Sequence, residues 1–260
     1  MNYLKIARSL VVPAVASLCA VAVISLQIPK LNVQQRQPDK AEYIRQEELE
    51  KIRLSLSEKM PTFGFNNLIA GWEFLNFTQY FGDTPARDRI GYSLVPEYFK
   101  IIVQRDPRFI SAYFYISPAT TLFAGRPDRS VALIEQGLKS ISPKTAPKAY
   151  LLWNYKGVDE LLFLGDHKAA RRSYEMAAKW ASTFTDPSSQ AVATRARETA
   201  RFLAKNPQSV QARIGAWAML LSNALDNSTR QLAINNIRKL GGEVIVTPDG
   251  DVQIKSPVDK

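Results

Sequence analysis

The stretch LLFLGDHKAARRSYEMAAKWA, residues 161–181, decides how the rest of this chain is read. Counting from Gly165, small or aromatic residues fall five, nine and twelve places on, at Ala170, Tyr174 and Ala177, with charge crowding the positions between. These three share one helix face, because i, i+4 and i+7 lie one above another. The same ruler laid on Gly125 finds Ser130, Ile134 and Gly137, 40 residues upstream. A glycine closes one helix in a tight turn and a small residue lets the next helix approach. The larger residue fills the space between them, and the second small one makes room for the following pair. The spacing predicts stacked helix pairs, not a chemical motif.

Outward from this stretch, helical patterns alternate with brief breaks from residue 61 on. The breaks are Gly82-Asp83-Thr84-Pro85, Asp106-Pro107, Gly125-Arg126-Pro127, Ser142-Pro143-Lys144, Gly165-Asp166, Asp186-Pro187, Asn206-Pro207 and Asp226-Asn227-Ser228. Proline lacks an N–H and glycine tolerates left-handed geometry, so each break ends a helix. The result is a string of antiparallel helices. Only the tail, GEVIVTPDGDVQIK, alternates β-branched residues about a turn at Pro248-Asp249-Gly250, which predicts a short C-terminal β-hairpin. A flexible tail is the alternative.

Residues 9–28 carry no charge, and a helix of that length spans roughly 30 Å, enough to cross a bilayer. Lys5 and Arg8 precede the run. An uncleaved anchor is favoured over a signal peptide cut after Ala20-Val21-Ala22, because the apolar run continues to Ile28 and Leu18 stands where a lipoprotein signal wants a small residue; a buried soluble helix is the third reading. Basic residues flank both sides, so the short leader sets the orientation: N-terminus cytoplasmic, the following domain periplasmic or lumenal. PKLNVQQRQPDK is then a linker, and AEYIRQEELEKIRLSLSEK an amphipathic stalk helix with Ile44, Ile52 and Leu56 as its apolar face. The expected organisation is an anchor over 1–30, linker and stalk over 31–60, a helical domain over 61–241 and the hairpin over 242–260.

The Gly165, Asp166, Ala170, Tyr174, Ala177 series resembles the tetratricopeptide repeat, and Gly125, Ser130, Ile134 and Gly137 match it more loosely. Phe114 and Trp153 stand near the family's aromatic position on the first helix, Trp153 one place early. The interval of 40 departs from the usual 34, and Pro118 and Gly157 interrupt the first helices. The segment GWEFLNFTQYFGD also looks like a motif of bacterial membrane-anchored helical proteins. The resemblance implies an all-α, tetratricopeptide-like α-solenoid of antiparallel helix pairs, preceded by one transmembrane helix. It further implies a concave groove lined by the first helix of each pair. Position by position, that groove receives Tyr155, Asp159 and Leu162 from one pair and Tyr115, Ala119 and Leu122 from the other. Tyrosine offers broad contact area for few rotatable bonds, which suits a partner surface. Both tyrosines packed between helices is the alternative. Asp159 on this face does not suit recognition of a terminal carboxylate.

Little points to catalysis. His167 is the sole histidine and Cys19, in the apolar run, the sole cysteine, so no cluster resembles a nitrogen or sulfur metal site. Glycine-rich phosphate loops and nucleophile motifs are missing from the sequence. Asp159-Glu160 is expected on a solvated helix face. The net charge of +10 raises nucleic acid or anionic lipid as partners. Arg197, Arg201 and Lys205 form one basic stripe, opposite an apolar face of Val192, Thr199, Phe202 and Leu203, and Arg171-Arg172 forms a second basic feature. Export across a membrane argues against nucleic acid. The expectation is a membrane-tethered scaffold or assembly factor for a membrane or envelope complex, with a protein partner, no cofactor and no small-molecule substrate. An exported enzyme with an unrecognised site, or a protein binding anionic lipid, is the alternative.

Overall fold

A computed structural model of the chain describes residues 15–25, 38–205, 210–246, 252–255 and 257. Residues through Glu42 and residues from Tyr43 onward form two compact units. In the first, residues 15–25 are helical. The rest of the apolar run 9–28 lies outside the described residues, and among the described residues no helix is long and apolar enough to cross a membrane.

The remainder is mostly helical. Its elements are α1 (Lys40–Lys59), α2 (Asn66–Gly82), α3 (Thr84–Ile90), α4 (Val95–Arg105), α5 (Ile110–Ile116), α6 (Pro127–Leu138), α7 (Tyr150–Val158), α8 (His167–Ala181), α9 (Pro187–Lys205), α10 (Val210–Asn223) and α11 (Asn227–Lys239). Four of the breaks read from the sequence become helix starts for a shared reason. The side chains of Asp83, Asp166, Asp186 and Asp226 each accept a hydrogen bond from the backbone N–H three residues on. Such a cap contributes about 1 kcal/mol by satisfying an orphan donor. Asn206-Pro207 lies outside the described residues.

The ruler's two glycines take left-handed φ values, 65° at Gly125 and 71° at Gly165. Around them the backbone closes in the same way, Arg126 N–H donating to Thr120 C=O and Asp166 N–H to Glu160 C=O, both at 2.8 Å. Ahead of each glycine the first helix widens. Helix α5 runs on into a π-helical segment, π1 (Ser117–Phe123), and α7 into π2 (Asp159–Leu164). These are the expected interruptions in another form. Pro118 has no N–H to close an α-helical turn, and Gly157 admits the Tyr174 ring, 3.1 Å from where a Cβ would stand. Ser130, Ile134, Ala170 and Ala177 are all fully buried. One detail differs: the space at Gly137 is filled by Tyr113 of its own pair, not by the following pair.

The main core joins Phe77 and Tyr80 of α2 to Tyr98, Phe99 and Ile102 of α4 and Tyr113 and Ile116 of α5. Each fully buried side chain of this size contributes roughly 1.5–3 kcal/mol. Helix α1 belongs to this unit rather than standing off as a stalk. Leu54 enters the core, and buried Glu73 of α2 accepts hydrogen bonds from Arg53 Nη1 and Nη2 at 2.9 and 2.7 Å and from Ser57 Oγ at 2.6 Å. Its buried side chains are Tyr43, Leu54 and Ser57. Ile44, Ile52 and Leu56, the expected apolar face, are exposed.

At the far end, α10 and α11 pack on each other, and α10 also packs on π1 and π2. The expected hairpin is present as β1 (Glu243–Val246) and β2 (Val252–Lys255), antiparallel with Glu243 opposite Lys255. Its turn, 247–251, lies outside the described residues.

Candidate interaction surfaces

The six residues assigned to a partner groove meet different fates, Ala119 being buried in the main core. Leu122 and Leu162 pack against Phe163, Trp217, Leu220 and Ile237, so the chain's own α10 and α11 cover that end of the first-helix face. Gly125 and Gly165 sit close beneath the same pair, a Cβ at each falling 3.1 Å from Thr229 and 2.5 Å from Arg213. Tyr155 is half-buried, its ring centroid 6.3 Å from that of Phe114. Tyr115 alone stands open, 52% exposed, beside Phe74 at 5.5 Å.

Asp159 is not on the surface: it is 1% exposed, and Glu160 is 3% exposed. Both carboxylates were expected on a solvated face, but π2 turns them into the seam between helix pairs. Asp159 accepts hydrogen bonds from Ser117 Oγ at 3.1 Å, Thr121 Oγ1 at 3.0 Å and Ser130 Oγ at 2.6 Å. Burial pushes its carboxyl up to about 6, against the opposing pull of these hydroxyls. Glu160 is paired with Lys156 one turn earlier and accepts from Ser173 Oγ at 2.6 Å. This polar layer links π1, α6, α7, π2 and α8. It is a joint within the fold, since every donor and acceptor named is internal.

Of the grooves that open outward among the described residues, two are lined in ways that suit a partner. The first, of about 380 Å³, runs between α8 and α9 and is lined by Arg171, Glu175, Ala178 and Lys179 from one helix and Arg197, Ala200, Arg201 and Ala204 from the other. The structure thus unites basic residues that the sequence shows as two separate features. Lys179 and the alanine floor were missed. The signal for them is the shared spacing, since Arg197, Ala200, Arg201 and Ala204 fall at i, i+3, i+4 and i+7 on one face. Glu175, the only acid among the lining residues, is tied to Arg171 at 2.8 Å. The buried face of α9 is also not the expected one. It consists of Ser189, Ala193, Ala196, Ala200 and Leu203, and Phe202 is exposed. Alanine lets α8 and α9 approach closely, so the long cationic side chains stand as walls around a shallow floor.

The second groove, of about 870 Å³, lies between α1 and α2, lined by Leu56, Met60, Leu68, Ile69 and Trp72 with Arg53, Ser57, Lys59 and Glu73 at its polar positions. His167 opens α8 beside the Asp166 cap, and burial lowers its pKa. Among the described residues no group of three or more His, Cys, Asp or Glu could hold a metal ion. Set against protein families, curated proteins and solved structures, the chain matches none.

Proposed function

We propose that this protein is a membrane-tethered interaction module, a scaffold or assembly factor that captures an acidic segment of a protein partner in the groove between α8 and α9. In this reading the helix pairs form a tetratricopeptide-like array, residues 9–28 anchor it, and the domain faces the periplasm or a lumen. The observation that carries it is the gathering of Arg171, Lys179, Arg197 and Arg201 around an alanine floor with one acid, already paired. Single exposed ion pairs contribute about 0–1 kcal/mol, so capture needs several at once and weakens with salt. A long-range positive field also steers an acidic partner during encounter. No aromatic ring lines the groove, which disfavours single-stranded nucleic acid, whose bases need stacking platforms. The half-covered first-helix face leaves Tyr115 as the part of the original groove still open to a partner.

A labelled oligoglutamate peptide binding to the full chain in detergent tests this reading. Binding should fall with added salt and be lost in an Arg197→Glu/Arg201→Glu variant whose helical circular dichroism is unchanged. Equal binding by the variant contradicts it.

A further inference from the structure

The helical unit leaves one extended apolar face uncovered. On α1 the exposed large side chains are Ile44, Leu49, Ile52 and Leu56, and on α2 they are Leu68, Trp72 and Leu75. Between the helices, Met60, Phe63 and Phe65 are exposed on the connecting turn, Phe63 at 86%. Phe63 also takes a left-handed backbone, φ 47°, a conformation that bulky residues adopt only under constraint. Isolated exposed apolar residues need no explanation, but Leu56, Met60, Leu68 and Trp72 line one groove, and an apolar patch joined in this way marks a contact surface. We infer that this face rests in the interfacial layer of a phospholipid bilayer, with the Phe63-Gly64-Phe65 turn and Trp72 entering it and the helices lying along it.

Charge is the first reason. Across residues 60–82 the sole charged residue is Glu73, and it is buried, its carboxylate held by Arg53 and Ser57. The surface those residues present is therefore apolar, amide and hydroxyl, a mixture that headgroups and upper acyl chains solvate without desolvating an ion. Lys59 borders the groove, where a long ammonium side chain can keep its stem on apolar surface and its charge among phosphates. Trp72 is 61% exposed, and tryptophan favours this depth because its ring is apolar while its N–H still finds a partner.

Shape and reach supply the second. The phenylalanines stand on a turn joining two helices, and a projecting apolar tip suits a fluid layer better than the flat surface of a folded partner. Residues 29–39 separate the uncharged run 9–28 from α1, and that many residues fully extended reach about 36–40 Å. Helix α1 is roughly 30 Å long, so a chain held at residue 28 can lay α1 along the bilayer. The inference rests on the membrane reading of that run. It concerns a surface distinct from the basic groove, so either can fail alone.

The test uses the full chain mixed with vesicles of phosphatidylcholine and phosphatidylglycerol, with lipids brominated on the acyl chain as quencher and iodide as aqueous quencher. Trp72→Phe supplies the subtraction that isolates Trp72 from the more buried Trp153, Trp180 and Trp217. The expected result is a blue-shifted Trp72 emission, quenched by brominated lipid and shielded from iodide. In Phe63→Ser/Phe65→Ser that lipid quenching should be lost while the protein still floats with the vesicles. Flotation with Trp72 open to iodide overturns the inference and leaves the tether intact. Shielding from both quenchers assigns the face to another protein chain and also overturns it. Failure to float overturns the inference and the tether together.

Discussion

The ring of Tyr113 on α5 occupies the place where residue 137 of α6 would carry a side chain: a Cβ on Gly137 would stand 2.1 Å from the tyrosine hydroxyl oxygen. The close approach of this helix pair thus depends on one missing methyl group. Gly137→Ala must push the ring or the helix aside, an overpacking cost of about 1–3 kcal/mol. Gly71 in α2 has nothing within 4 Å of its Cβ position. Gly71→Ala should therefore stabilise by about 0.5–1 kcal/mol, as expected when a helical glycine becomes alanine. Urea unfolding of the two variants should give opposite signs, and a shared sign would mean that the packing at Gly137 is described incorrectly.

Asp159 makes stability depend on pH in a defined direction. Its carboxyl moves from an ordinary 3.8 up to about 6 because it is buried. Below the lower value the group is neutral whether folded or unfolded, and above the upper value it is charged in both states. Its contribution to stability therefore declines as pH rises through this window, by up to about 3 kcal/mol. Asp159→Asn should remove that decline, so the variant gains on the wild type between pH 4 and 7. Unfolding free energies at both ends check it; a difference between the proteins that does not change with pH contradicts it.

The neighbouring pair responds differently to single and double replacement. Lys156→Met strands Glu160 in the interior without its partner and should cost about 3–5 kcal/mol. The double variant Lys156→Met/Glu160→Leu removes both charges and should recover most of that loss, because a buried ion pair's attraction barely exceeds its desolvation cost. Melting temperatures of the three proteins decide it. A double variant as unstable as the single one would show that the pair does more than neutralise itself.

Tyr115 and Tyr155, equivalent under the ruler, should separate on mutation. Tyr155→Ala removes a half-buried ring packed on Phe114 and should cost more stability than Tyr115→Ala, whose ring is half in solvent. Thermal unfolding of each single variant reads this directly, and equal losses would argue against the packing of Tyr155 on Phe114.

Local rules made the pairing of helices legible. The glycine turns, the aspartate caps and the small-residue face are each fixed by neighbours within a few positions. The candidate groove was not legible to the same degree, for three physical reasons. Asp159 falls on a solvated face only if the helix stays α-helical, and π2 changes which direction each residue faces. Leu122 and Leu162 looked open because nothing in their own segment shows that α10 returns to cover them. The packing of α1 was not legible because Leu54 enters the core and Arg53 reaches buried Glu73, a long-range pairing that no local pattern shows. The basic groove is intermediate: its arginines stand out in the sequence, but their meeting across α8 and α9 depends on alanines that carry no chemical signal.

The most direct test of the account places a photo-crosslinking side chain at position 204, on the floor of the basic groove, in the full chain in intact cells. The account predicts crosslinks to a carboxylate-rich segment of one protein partner, lost in Arg197→Glu/Arg201→Glu and retained when the exposed Arg108 is reversed instead. Crosslinks unchanged by reversal at the groove, or crosslinks to lipid alone, would contradict it.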